Sequence, residues 1–245
     1  MKISVFTGKY NQTKRERWAA LKSAATMASK RGSKLLILPG WSMLRKREGG
    51  IDKIKELSKK NDISILFDTR GMNEAELGKA YIIYSNKNLI GPFNQLFHLS
   101  DEVEKSPLLV KNLIRLLKSG KRSFNISGTT FSVLLCGENN FLKNIQNCSN
   151  KAIVRHEYKF DTSCYDVLIN QSHTTMGNWP KLIKRFELLS RNNKYLIFLV
   201  NNDTSSDKWK SAINIFYNGK RIMTGDFEKG VGKQKNIGVR SQHST

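Results

Sequence analysis

Residues 131–141 read FSVLLCGENNF, and the meaning of the stretch turns on Cys136. A run of β-branched, aromatic and large aliphatic residues has the length and composition of a strand buried on both faces. It ends at a cysteine, and Gly137, Glu138, Asn139 and Asn140 follow. A structural thiol packed in a core fits this pattern. A nucleophile presented at the end of a central strand fits it equally.

Outward from that strand, helix and strand periods alternate in mixed order. KISVF at 2–6 reads as a strand, and residues 11–31 carry Trp18, Leu21, Ala24, Ala25 and Ala28 at helical spacing. Asn11 or Thr13 suits the cap of that helix and Gly32 its end. KLLILPG at 34–40 reads as a buried strand, a helix is expected over 50–60, and ISILFD at 63–68 reads as the next strand. KAYIIYS at 79–85 and LIGPF form a hairpin across Asn86-Lys87-Asn88. PLLVKNLIRLLK at 107–118 is an amphipathic helix with proline in its first turn. Beyond Cys136 the pattern predicts a helix over 139–147, a strand at 165–170, a helix at 179–193 and a strand at 194–202. A closing hairpin turns at Asn218-Gly219. Hairpins inserted between strand–helix units do not make a simple doubly wound sheet. Two packed sheets covered by helices accommodate both. With no repeat or linker, residues 1–245 read as one domain with a basic C-terminal tail from about 229.

Composition narrows the classes further. Hydrophobic residues make up 39% and charged residues 25%, which is globular rather than disordered. No apolar run reaches the roughly 20 residues of a membrane helix, and MKISVFTGKYNQ does not read as a secretory signal. Cys136, Cys148 and Cys164 are odd in number and lack CxxC spacing, so they read as unbridged thiols of a reducing, cytoplasmic compartment. No metal or cofactor site is read from the sequence. The net charge of +22 favours polyanions, nucleic acid among them. The densest basic patches are 14–17, 45–48 and 229–240, and none interleaves aromatic residues as base-stacking surfaces do.

The order of segments resembles the nitrilase, or carbon–nitrogen hydrolase, superfamily across nearly the whole chain. GSKLLILPG resembles the family's strand ending in fPE, and AYIIYSNKNLIGPFNQLFHLS its hairpin leading to K-x-H-L. SFNISGTTFSVLLCGEN is similar to the strand that delivers the cysteine, nearest the form C-W-E-N. YDVLINQS, RFELLSRNNKYLIFLVNN and SAINIFYNGKRI resemble the three segments that follow. The resemblance implies an αββα sandwich (mixed α/β, two packed mixed sheets flanked by helices) and pairing as a homodimer. It also implies a Glu–Lys–Cys triad acting on a small amide or nitrile. The thiolate forms a thioester, the glutamate is the general base, and the lysine stabilises the oxyanion.

Carried over position by position, the triad is incomplete. Cys136 aligns with the nucleophile, but Pro39 is followed by Gly40 where the glutamate belongs. The lysine position falls on Leu96, or on Gln95 in a register one residue away. The expectation is therefore a catalytically degenerate member. If it is active, the reaction is hydrolysis or acyl transfer at an amide or nitrile through a Cys136 thioester, with Glu138 as replacement base and His98 as proton carrier. Glu102 and Glu104 match an auxiliary carboxylate weakly, and His173 follows a strand end that would line the same cleft. The alternative is a basic scaffold that binds nucleic acid or another polyanion.

Overall fold

A computed structural model of the chain describes residues 1–8, 13–40, 50–69, 77–145, 151–172, 179–200, 211–226 and 234–238. The first half builds β1 (Lys2–Phe6), α1 (Lys14–Lys30), β2 (Leu35–Ile37), α2 (Gly50–Asn61), β3 (Ser64–Thr69), β4 (Lys79–Ile83) and β5 (Leu89–Asn94). Helices α3 (Ser100–Lys105) and α4 (Pro107–Lys118) follow, then β6 (Ser123–Ile126), β7 (Thr129–Leu135), β8 (Leu142–Asn144) and β9 (Ala152–Val154). The chain continues with β10 (Val167–Ser172), α5 (Trp179–Leu189), β11 (Tyr195–Val200), β12 (Ser211–Tyr217), β13 (Lys220–Asp226) and β14 (Gln234–Gly238).

Two six-stranded sheets result, ordered β14-β1-β2-β3-β4-β5 and β13-β12-β11-β10-β7-β6. Strands β1, β2 and β3 are parallel in one, and β7, β10 and β11 in the other. Antiparallel strands extend both. Side-chain alternation assigns the layers. Leu35, Ile37 and Leu66 meet Val133, Leu135, Ile169 and Ile197 between the sheets. Leu36, Leu38, Ile65 and Phe67 face α1 and α2 through Leu21, Ala25, Ile54 and Leu57. Leu134, Leu168 and Phe198 face α4 and α5 through Leu113, Leu117, Phe186 and Leu189. The central strands read as continuous apolar runs because both faces are covered. This is the αββα sandwich the resemblance implied.

Thr13 caps α1. Its hydroxyl accepts the Glu16 N–H at 3.3 Å, while the Glu16 carboxylate accepts the Thr13 N–H at 2.8 Å, a reciprocal capping box.

Several segments depart from expectation. Over 139–145, the described part of the segment expected to be helical, one 3-10 turn at Glu138–Phe141 leads into β8. Side chains 138–140 are bonded to other elements, as shown below, and asparagines that bond elsewhere do not propagate a helix. Helix α5 stops at Leu189 because Asn192 and Asn193 turn left-handed, at φ 59° and 58°. Helix α3 was not expected. The segment read as a basic tail contributes β14, which pairs antiparallel with β1 and becomes the edge strand of that sheet. Among the described residues no helix is long and apolar enough to cross a membrane.

Candidate functional site

The ends of the parallel strands from both sheets meet around Cys136. Gln171, paired with Leu135 across β10 and β7, donates through Nε2 to the Leu38 carbonyl at 2.6 Å. The Gly40 N–H donates to the Ser172 carbonyl at 3.0 Å. These bonds stitch the turn after β2 onto the end of β10, one strand away from Cys136. From the third side, Gln95 is buried and donates through Nε2 to the Cys136 carbonyl. The stretches around Gly40, Gln95-Leu96 and Cys136, far apart in the chain, thus converge on one region.

Gln95 is held from both ends of its amide. Its Oε1 accepts the Gly78 N–H at 3.0 Å, and its Nε2 also lies 3.0 Å from the Phe97 carbonyl and 2.9 Å from His98 Nδ1. An amide nitrogen donates, so the two Gln95 hydrogens are shared among the Cys136 and Phe97 carbonyls and His98 Nδ1, which is assigned as an acceptor. The His98 N–H donates to the Glu102 carboxylate at 3.1 Å, and its carbonyl accepts from Asn140. Leu96 is partly buried against the helix-side core, and its N–H donates to the Glu138 carboxylate.

Glu138 is fully buried, and Arg122 is 1% exposed. Each guanidinium nitrogen, Nη1 and Nη2, donates to one carboxylate oxygen at 2.7 Å. The Leu96 and Leu135 N–H groups each donate to one of the same oxygens at 2.8 Å. A carboxylate offers about four lone-pair sites, and these four donors take them all. The side chain therefore clamps the end of β7 to the 95–98 segment. Arg122 lies in an undistinguished KRSFNI run, and nothing in the sequence links it to Glu138.

The turn after Cys136 depends on Gly137 lacking a side chain. Gly137 has φ 83°, and a Cβ there would lie 2.2 Å from the His98 carbonyl oxygen and 2.7 Å from His98 Cα. Gly137→Ala combines a left-handed residue with a backbone collision. We expect it to lower the urea midpoint of unfolding by more than any surface Gly→Ala change, such as at Gly120, where a Cβ meets nothing within 4 Å.

Behind the turn lies Arg185 of α5, whose Nη1 donates to Asn139 Oδ1 at 3.1 Å and Asn140 Oδ1 at 2.7 Å. Its Nε donates to Asn144 Oδ1 at 3.2 Å. Burial, then the neighbouring Arg155 charge, pushes the Arg185 guanidinium down to about 10. Asn139 in turn donates to Asn170 Oδ1, and Asn140 to His98.

Of the sequence candidates, Cys136, Glu138 and His98 lie together here. Glu104 points away to Arg155, 3.7 Å distant and largely exposed. Cys164 is half-buried with its thiol against the Asp161 carbonyl, and burial pushes the thiol up. Cys148 and His173 lie outside the described residues, as does the 45–48 basic patch. Among the described residues, no three His, Cys, Asp or Glu side chains gather as metal ligands.

No family model and no curated protein matches the sequence. Solved structures do match the fold. An amidase from Nesterenkonia sp. AN1 superposes with a TM-score of 0.64 at 9% identity, covering 98% of this chain and 93% of that one. A cysteine-to-serine variant of that nitrilase-superfamily amidase gives 0.66 at 9% identity, covering 98% and 92%. Its cysteine-to-alanine variant in complex with butyramide gives 0.63 at 9% identity, covering 97% and 90%. The fold is that of the nitrilase-superfamily amidases.

Proposed function

We propose that this chain is a nitrilase-fold protein with the nucleophile position kept at Cys136 and the activating groups lost, so that it does not turn over amides. The observation that carries the reading is the saturation of Glu138. Taking a proton from the thiol would require that carboxylate to leave Arg122 and two backbone N–H groups. His98 has its Nδ1 engaged with Gln95, which leaves Nε2 as its only site for proton exchange. In the resembling family a base and a cation activate the thiol, and Gly40 and Leu96 stand where those two groups belong.

The test uses butyramide and acrylamide, both ligands of the Nesterenkonia enzyme. Ammonia release should equal that of Cys136→Ala, and Cys136-dependent release would sink the proposal. Alkylation with iodoacetamide, read by peptide mass spectrometry, supplies the pH dependence. A raised thiol pKa keeps Cys164 protonated to higher pH, so its labelling should climb later with pH than that of a solvent-exposed cysteine peptide. Labelling of Cys164 in step with the peptide would contradict the burial argument.

The net charge of +22 favours a second reading, attraction to polyanions. Retention on a DNA column should then fall steeply with salt and weaken on charge reversal at Arg45, Lys46 and Arg47.

A further inference from the structure

On the face remote from Cys136, α1 and α2 leave a groove of about 840 Å³ between them. The right-handed crossovers joining β1, β2 and β3 make the two helices run in the same direction. One wall is the stripe Trp18, Lys22, Met27 and Lys30, and the other is Lys53, Glu56, Leu57 and Lys60. Trp18, Met27 and Leu57 give it an apolar floor, and Met27 is 40% exposed. From Trp18 to Lys30 the stripe runs about 18 Å at 1.5 Å per residue.

The charges along this groove are one-sided. Its acids are already matched by lysines: Asp52 lies 3.8 Å from Lys55, and Glu56 is bonded to Lys87, which lies outside the groove. Burden of charge falls on the other side of the ledger: Lys30, Lys53 and Lys60 pair with no carboxylate among the described residues. Lys22 lies over the Trp18 ring, 5.7 Å from its centroid. Lone ammonium groups along an apolar trough lack the carboxylates that would complete them.

We propose that this groove is a docking site for an acidic amphipathic helix of another protein. A helix of about 12 residues matches its length, with an apolar edge at i, i+3, i+4 and i+7 on the floor and glutamates or aspartates against the lysines. Helices pack into such grooves at axis separations of about 8–10 Å. A second copy of this chain fits poorly, because two molecules of net charge +22 repel and each would bring its own lysines. Nucleic acid would match the lysines but leave Met27 and Leu57 against phosphate.

The experiment is fluorescence anisotropy at 150 mM salt with a labelled 16-residue peptide, leucine at i, i+3, i+4 and i+7 and mainly glutamate elsewhere. Its scrambled isomer is the control. The amphipathic peptide should bind at least tenfold tighter than the isomer. Lys30→Glu with Lys53→Glu should weaken it at least tenfold, as should the uncharged Met27→Ser. The equal charge change Lys111→Glu with Arg115→Glu on α4 should leave it within twofold, circular dichroism verifying that every variant is folded. Equal binding of both peptides, equal loss from both charge pairs, displacement of the peptide by self-association, or no binding would each overturn the proposal.

Discussion

Replacing Arg122 with methionine is expected to lower the free energy of unfolding by about 3–5 kcal/mol, read from the urea midpoint with the slope unchanged. The change leaves the Glu138 carboxylate buried without its bidentate partner, and the Asn94 and Val133 carbonyls lose a donor. Glu138→Leu should cost a similar amount, for the opposite charge and for two orphaned N–H groups. The double variant tests the argument. Replacing a buried ion pair with apolar residues is often neutral. Here Leu96 and Leu135 would still donate to nothing, at about 1–3 kcal/mol for each buried unsatisfied group. The double variant should therefore recover only part of the loss. Full recovery would mean that the pair carries charge alone. A loss below about 1 kcal/mol in Arg122→Met would place Arg122 outside the clamp.

The fold was largely legible because its strands are two-sided. LLIL at 35–38, ILF at 65–67 and VLL at 133–135 are apolar at every position, and covered faces on both sides explain that at once. The hairpins then exclude a simple parallel sheet. The residues that escaped are those whose role depends on a distant partner. Glu138 looks like a candidate base from its place beside Cys136, and the side chain that changes its meaning, Arg122, lies 16 residues earlier in a lysine-rich run. Gln95 reads as a neutral substitution, yet its amide ties Gly78, Phe97, His98 and Cys136 together. The 139–147 segment has enough helix formers to suggest a helix, but Asn139 and Asn140 are drawn off by Arg185, Asn170 and His98. Local pattern describes the strands well. It does not describe side chains whose partners come from another layer.

Returning a carboxylate and an ammonium to the site should raise amide turnover above that of the unmodified chain. In Gly40→Glu with Leu96→Lys, butyramide hydrolysis should rise on the order of 10²-fold or more above the unmodified chain, because a general base is worth about 10²–10⁴ and an oxyanion donor about 10²–10³. The gain should fall short of the product of the two. Leu96 leaves a core contact to become lysine, and Gly40 must keep its N–H on the Ser172 carbonyl while gaining a side chain. Leu96 is the better site for the lysine than Gln95, whose amide already holds the Gly78 N–H and the Cys136 carbonyl. Each single variant should stay within about tenfold of background, since groups that act as a unit are strongly non-additive. Adding Cys136→Ala to the double variant should abolish the gain. A folded double variant without turnover would show that these two groups are not enough, and would turn attention to how Gly137 and the Gln95 amide fix the backbone at Cys136.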